Sequence, residues 1–228
     1  MITRCVFLTK KKDMTLEEFY DYWRNVHAPI TSKMKNLRGY ELHLVSDREQ
    51  RHEIARGPVE IDGYAELFFD DYHDMEEGMA SVQEAYQADL AKFAENWKEL
   101  VFVKKMDTEV PEELKGEKFI KRMSFLGRGE GISAEKFQYE WWGQHSRMVK
   151  LMPGYAGYAQ NLVVDRLIDG KHVSYEEFPV EGMVEFWFKN MDDFNTCYDS
   201  EEFAKTAAHG KTFLGSVTTY LTEDTVCM

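Results

Sequence analysis

Two histidines occupy matching positions in the two halves of this chain. His27 follows Trp23 by four residues, and His145 follows Trp141 by the same interval. Each histidine is predicted at the C-terminal end of an amphipathic helix. An imidazole exchanges protons near neutral pH, so both are candidate general acids or bases. The alternative of comparable weight is structural, with each histidine stabilised by the helix dipole.

Two further pairs of polar residues recur in the halves. Tyr40 and Tyr158 each follow a glycine at the start of a predicted strand, and Glu66 and Glu185 lie in the middle of another. Such a tyrosine either bonds a substrate oxygen or is a core aromatic with a satisfied hydroxyl. Such a glutamate is exposed, buried with a raised pKa, or paired with Arg or His. The two glutamates could meet across a pseudo-twofold axis.

The second half is the more polar of the two at several matching positions. The replacements are Glu140 for Tyr22, Gln144 for Val26, Gln160 for Leu42 and Asn161 for His43. Polar groups on a core-facing stripe cost free energy unless they bond something. We therefore predict the better pocket in the second half, although a one-residue change of helix phase would turn Glu140 and Gln144 to solvent.

Two groups of residues are therefore candidates for a functional site. The candidate catalytic residues are His145, His27, Glu185 and Tyr158. The candidate substrate-binding residues are Trp141, Glu140, Gln144, Gln160, Asn161, Tyr40, His43, Glu66 and Trp23.

The elements that position these residues follow from an internal repeat. Phe19, Trp23 and His27 recur as Phe137, Trp141 and His145, always 118 positions later. This register predicts a tandem duplication with units at 1–107 and 117–228, joined by a linker at 108–116. Each unit has the predicted order β-α-β-β-α-β, with a capping box opening the first helix at Thr15. The fold class is α+β, in which two ferredoxin-like repeats press their sheets together or close edge to edge into a barrel.

The motifs within the repeats resemble a known family. The pattern Phe-x-x-Tyr-Trp-x-x-x-His-Ala-Pro at 19–29, then Leu-Arg-Gly-Tyr at 37–40 and Asp-Gly-Tyr-Ala-Glu-Leu-Phe-Phe-Asp at 62–70, is similar to the EthD family. The second unit resembles it more loosely, at 137–145, 157–161 and 182–188. The resemblance implies an intrachain version of the dimeric α+β barrel. That superfamily includes lactone isomerases, cyclases, dehydratases, cofactor-free monooxygenases and haem enzymes, so the fold alone implies no single reaction.

Composition narrows the partners. The 228 residues carry 28 basic and 41 acidic side chains, a net charge of −13, which disfavours nucleic acid and anionic membranes as partners. The three cysteines are widely spaced, no zinc-binding spacing occurs, and no dinucleotide or P-loop motif is present. The absence of a long apolar run or a signal-peptide pattern predicts a cytoplasmic protein. Trp-rich helices make a homodimer one possible assembly.

Three functions remain open at this point. The first is a cofactor-independent lyase or isomerase, of dehydratase, decarboxylase or cyclase type, acting on a small aromatic, lactone or polyketide-like molecule by histidine acid–base catalysis. The second is a haem-dependent or redox enzyme of the same superfamily. The third is a non-catalytic protein that binds a small molecule. The expected cofactor is none, with haem still open, and no metal is expected.

Overall fold

The computed structural model describes residues 1–51 and 53–227, and it forms a closed antiparallel barrel of eight strands with helices on its outside. In the first repeat the strands are β1 (Ile2–Lys10), β2 (Gly39–Asp47), β3 (Gly63–Phe69) and β4 (Ala94–Thr108). In the second repeat they are β5 (Ile120–Arg128), β6 (Gly157–Ile168), β8 (Gly182–Phe188) and β9 (Leu214–Val226). A short strand β7 (Lys171–His172) extends β6 as a hairpin. The predicted α+β barrel is confirmed.

The barrel closes through two contacts between the repeats. The strand order is β4-β1-β3-β2-β9-β5-β8-β6, and β6 pairs back with β4. Thus β2 pairs with β9, and β4 pairs with β6, both antiparallel. Each contact joins the second strand of one repeat to the last strand of the other, so the two contacts are equivalent under a pseudo-twofold axis. Closure removes the free sheet edges that each repeat would have alone.

The helices cover the outer face of each half-barrel. The first repeat has α1 (Leu16–Tyr22), α2 (Ala28–Thr31) and α3 (Tyr72–Phe93). The second has α4 (Ala134–Gln138), α5 (Ser146–Val149), α6 (Met191–Tyr198) and α7 (Glu201–Gly210). Between β4 and β5 the chain makes a single 3₁₀ turn at Glu112–Leu114. The described residues contain no helix long and apolar enough to cross a membrane.

The capping box predicted at the start of the first helix is confirmed. The Thr15 side chain accepts from the Glu18 amide, and the Glu18 carboxylate accepts from the Thr15 amide. These two bonds satisfy amide donors that otherwise lack partners at a helix start. Ser133 plays the same capping role for α4 by accepting from the Lys136 amide.

Each first helix widens into a π-helical segment that the sequence analysis did not predict. The segments are Trp23–His27 and Tyr139–His145, and each ends on the matching histidine. A π segment has more residues in each turn than an α-helix, so it changes which side chains face the sheet. The predicted buried face at Val26 is therefore wrong, since Val26 is 42% exposed while His27 is 1% exposed.

The second long helix of the second repeat also differs from expectation. Sequence patterning predicts one helix over 191–209, but the helix breaks at Asp199 and restarts with Ser200 as the N-cap of α7. The matching helix α3 runs unbroken for 22 residues. Among the described residues, buried apolar side chains form three cores, one between the helices and the sheet in each repeat and one inside the barrel.

Candidate functional site

The π-helical segments place one tryptophan of each repeat against the outer face of the sheet. Trp23 and Trp141 are each 1% exposed. A Cβ at Gly182 would lie 2.5 Å from the Trp141 ring, and one at Gly63 would lie 2.8 Å from the Trp23 ring. Only glycine admits such close approach, so the glycine that opens each third strand sets the depth of the tryptophan.

His27 is part of a closed, charge-balanced cluster in the first repeat. Its Nδ1 lies 3.0 Å from Asp89 Oδ2, and the Asp89 carboxylate also accepts from the Tyr22 hydroxyl and from Lys92. Burial lowers the pKa of His27, although the bond to Asp89 opposes that shift. A neutral imidazole that donates to a buried carboxylate is a packed structural element, and the His27 ring also packs against Tyr86 and Phe93.

His145 has a different set of neighbours at the same place in the second repeat. Its Nδ1 lies 3.2 Å from Nδ1 of His209, and Nε2 of His209 lies 3.2 Å from Glu140 Oε2. The two imidazole rings stack at 24° with centroids 5.5 Å apart. The bonds from Lys136 and His209 hold the pKa of Glu140 below its usual value. A carboxylate, an imidazole and a second imidazole therefore form one hydrogen-bonded chain.

The two clusters correspond residue by residue once the register is extended past the third strand. Phe93 and Phe213 both pack on the matching histidine, and their carbonyls accept from the Lys11 and Gly129 amides. The repeat offset is therefore 120 at this point rather than 118. In this register Asp89 corresponds to His209, which explains why only the first histidine has a carboxylate partner.

Next to His145 is a cavity between the helices and the outer sheet face, which we call the repeat-2 cavity. The centres of water-sized molecules could occupy about 60 Å³ of it, and its empty space with the open mouth is about 540 Å³. Apolar side chains form most of the wall, with a few polar groups. The polar or aromatic residues in its wall include His145, Arg122, Ser124, Tyr158, Trp141 and Phe186.

Two losses of side-chain volume explain why the cavity occurs in this repeat. Tyr86 and Leu90 of α3 are buried and fill the matching space in the first repeat. At the offset of 120 they correspond to Thr206 and Gly210, which line the cavity. A Cβ at Gly210 would lie 3.6 Å from Cε1 of His145, so the imidazole edge faces the opened space.

Tyr158 contributes an unpartnered hydroxyl to the wall. It is fully buried, its hydroxyl has no hydrogen-bond partner among the described residues, and burial raises its pKa well above the usual value. The matching Tyr40 hydroxyl instead accepts from Trp23 Nε1 at 3.3 Å. A buried hydroxyl without a partner costs free energy, so Tyr158 is ready to bond a ligand oxygen.

The predicted glutamates lie on the other side of the sheet, inside the barrel. Glu66 and Glu185 are both fully buried and share the same two lysines. Lys121 Nζ lies 2.6 Å from Glu185 and 3.3 Å from Glu66, and Lys104 Nζ lies 2.8 Å and 3.4 Å from them. The glutamates therefore meet across the pseudo-twofold axis through lysines. Glu185 does not share a cavity with His145. Side chains alternate along β8, so Val184 and Phe186 point to the cavity and Glu185 points to the other face of the sheet.

His43 extends this barrel-interior cluster. Its Nε2 lies 3.0 Å from Glu66 and its Nδ1 lies 2.6 Å from Asp224. Burial and Lys121 lower the pKa of His43, but the two carboxylates outweigh them and raise it. Glu41, His43 and Glu66 bring ligand-type atoms within 4.8 Å of one another. His43 faces these two glutamates with Nε2, and the ammonium groups of Lys104 and Lys121 already pair with Glu66, so the charge of Glu66 is balanced by lysines.

The other predicted binding residues divide between these environments. Asn161 donates to Glu185 in the barrel interior, at 2.8 Å. Gln160 lies on the helix-facing side of the sheet. Its amide donates to the backbone carbonyl of Trp141, which the π-helical segment leaves available as an acceptor. Gln144 donates to the Tyr139 hydroxyl and Glu140 bonds His209, and neither lines the cavity. The structure thus brings together His145, Tyr158 and Trp141, with Glu140 reaching His145 through His209.

Several residues of the site were missed by the sequence analysis. Arg122, Ser124 and Thr206 line the cavity and His209 bonds His145, yet none of the four was a candidate. The signal that could have found His209 and Thr206 is the change of repeat offset to 120. At that offset, the Asp89 carboxylate and the Tyr86 ring of the first repeat are replaced by His209 and Thr206 in the second.

Haem is the cofactor that the resemblance left open. The buried rings of Trp141 and Phe186 form part of the wall of the repeat-2 cavity, whose empty space is about 540 Å³ with its open mouth included. A porphyrin bound beside His145 would require these packed rings to move, so the residues present do not fit haem.

Comparison with known proteins agrees with this fold. A family model described as "EthD domain" matches residues 11–96 and 129–216, one match in each repeat. No curated protein matches the chain significantly. An anthrone oxidase-like protein of known structure has 8% identity and a TM-score of 0.64, covering 99% of this chain and 93% of its own.

Two further solved structures are similar. A candidate monooxygenase from Lactobacillus acidophilus NCFM has 13% identity and a TM-score of 0.56, covering 99% of this chain and 94% of its own. A candidate chlorite dismutase has 10% identity and a TM-score of 0.53, covering 97% and 94%. At these identities the likeness supports the dimeric α+β barrel fold and does not identify a reaction.

Proposed function

This chain belongs to the EthD family, and we propose that it is a cofactor-independent lyase or isomerase acting on a small aromatic, lactone or polyketide-like molecule in the repeat-2 cavity. The observation that carries the proposal is the chain Glu140–His209–His145, which ends at the cavity wall. The first repeat keeps the equivalent histidine but encloses it with Asp89 and fills the space around it.

The hydrogen-bonded chain assigns a proton to each nitrogen. Glu140 is ionised near neutral pH and only accepts, so Nε2 of His209 carries a proton. In the tautomer of His209 with one proton, on Nε2, Nδ1 has a lone pair and can accept from Nδ1 of His145. This arrangement leaves the lone pair of His145 on Nε2, which is the form of a general base. Glu140 and His209 act as positioning residues that also stabilise the imidazolium once His145 has taken a proton.

The rest of the cavity wall supports proton transfer at carbon. Tyr158 can donate a hydrogen bond to a carbonyl oxygen, which stabilises the negative charge that develops when a neighbouring C–H bond loses its proton. The apolar rings of Trp141 and Phe186 exclude water and strengthen these interactions. His145 can return the proton to another atom for isomerisation, or to a leaving group for elimination.

The experiment is solvent exchange followed by NMR. The wild-type protein is incubated in D₂O with a panel of aryl β-keto acids, enol lactones and hydroxylated aromatic ketones, and deuterium at carbon is measured. We expect exchange or net conversion of at least one class, under nitrogen as well as in air. Chemical-shift changes without exchange would instead favour the non-catalytic binding protein. Conversion that requires dioxygen would favour the redox alternative.

A further inference from the structure

The repeat-2 cavity contains a buried cation that the mechanism above does not use. Arg122 is 4% exposed, and no carboxylate in residues 1–51 and 53–227 lies within ion-pair distance of it. Its polar contact is a bond from a terminal guanidinium nitrogen to the Thr219 hydroxyl at 3.3 Å, and its Nε has no partner. The guanidinium also lies over the Tyr198 ring, 5.0 Å from the centroid. A buried cation normally has an anionic partner.

The first repeat shows what that partner would be. Arg4 corresponds to Arg122, is equally buried, and forms an ion pair with Glu99. Glu99 pairs with Val6 across the sheet, just as Thr219 pairs with Ser124, the equivalent of Val6. Thr219 therefore stands at the position of Glu99. The second repeat has kept the arginine, lost its carboxylate and opened a cavity beside it.

We propose that the repeat-2 cavity binds an anionic ligand whose carboxylate or ionised enol takes the place of the missing glutamate on Arg122. Guanidinium has a planar set of donors that matches such oxyanions, which makes it suited to this role. His209 stands where the first repeat has Asp89, the carboxylate partner of His27, so this position adds no negative charge beside the cavity. The wall beside Arg122 therefore favours an anion.

The strand register sets the approximate shape of the ligand. Arg122 on β5 and Tyr158 on β6 both pair with Phe186 on β8, and all three line the cavity. Neighbouring strands lie about 4.8 Å apart, so the two polar residues are separated by roughly 10 Å at their backbones. The space between them is covered by the Phe186 ring. A planar ligand with an anionic group at one end and a hydroxyl or carbonyl oxygen at the other fits this pattern.

This inference rests on the proposed function, because it names the substrate class of the same cavity. Its test is binding rather than turnover, so the two can fail separately. The probes are 4-hydroxybenzoate and benzoate, with 4-hydroxybenzamide as the neutral counterpart of nearly the same shape. Dissociation constants are measured by NMR titration at constant ionic strength.

The main variant is Thr219→Glu, which restores the carboxylate of the first repeat beside Arg122. We expect it to weaken binding of the two carboxylates by about 10- to 100-fold, since a charge-assisted bond is lost, and to change amide binding by less than about threefold. Thr212→Glu is the matched control, because it adds the same charge at an exposed turn. It should leave all three dissociation constants unchanged.

A second variant keeps the test independent of folding. Arg122→Met removes an unpaired buried charge, so it should lose the carboxylate preference without lowering the melting temperature. Equal weakening of carboxylate and amide, no binding of either carboxylate by the wild type, or a large loss of stability in Arg122→Met would overturn the proposal. If the wild type prefers carboxylates but shows no turnover that depends on His145, only the proposed function is contradicted.

Discussion

Replacing each of the two equivalent histidines by alanine should separate a structural role from a functional one. His27 is 1% exposed, its Nδ1 contacts Asp89 at 3.0 Å, and its ring lies 4.9 Å from Tyr86 and 5.0 Å from Phe93. His145 is only half-buried, and its partner His209 keeps the bond to Glu140 after the change. The same substitution thus removes a packed ring in one repeat and a cavity-wall group in the other.

The size of the effect follows from these contacts. Truncating a buried aromatic ring to alanine costs about 3–5 kcal/mol, and the lost hydrogen bond to Asp89 adds about 1 kcal/mol. Asp89 keeps Tyr22 and Lys92 as partners, so it is not left uncompensated. We therefore expect His27→Ala to lower the free energy of unfolding by about 3 kcal/mol. For a chain of this size that is a fall of roughly 6–12 °C in Tm.

Urea unfolding followed by far-UV circular dichroism at pH 7.5 measures both variants. His145→Ala should cost less than about 1 kcal/mol, as is usual for a substitution outside the packed core. A cost below about 1 kcal/mol for His27→Ala would refute the reasoning, because His27 would then not be a packed structural residue. Equal and large costs for the two variants would refute the distinction between the repeats.

Three further outcomes follow from the same structure. Gly210→Leu restores the side chain that Leu90 supplies in the first repeat, so it should abolish binding of small aromatics in an NMR titration while leaving Tm within a few degrees; retained binding would place the ligand elsewhere. Glu66→Gln leaves charges of the barrel-interior cluster unbalanced and should cost about 3–5 kcal/mol in urea unfolding; a neutral result would contradict the coupling of the repeats through Lys121. Because its folded pKa is raised, His43 contributes stability that is full below about pH 6.5 and is lost as the pH rises through that folded pKa. The stability difference between wild type and His43→Gln should therefore shrink from pH 6 to pH 9, and a difference that grows would reverse the assignment.

The sequence was sufficient for the architecture because the repeat signal lies in buried aromatic and glycine positions. Trp23 and Trp141, with the glycines that admit them, recur at a nearly constant offset. The order of strands and helices follows from local patterning, and the family resemblance is confirmed. Closure into a barrel follows from the duplication, because each repeat has sheet edges that the other can pair.

The site was harder to predict because its decisive features depend on phase and register. The π-helical turns advance the buried face by one position, so His145 reaches the cavity while Gln144 does not. Alternation along β8 places Glu185 on the other face of the sheet from the cavity residues, but the sequence does not say which face is the barrel interior. The role of Arg122 appears only when β5 is paired with β9, since its missing partner is defined by Thr219 on the neighbouring strand.

The most direct test of the account compares turnover, or solvent exchange at carbon, in His145→Gln and His27→Gln with the substrate class found in the D₂O panel. Folding of both variants is verified by thermal melting. The account predicts a loss of about 10²- to 10⁴-fold in kcat/KM for His145→Gln, typical of a lost general acid or base, and a change below about threefold for His27→Gln. Equal losses would mean two equivalent sites, and a larger loss at His27 would place the chemistry in the first repeat and contradict the central claim.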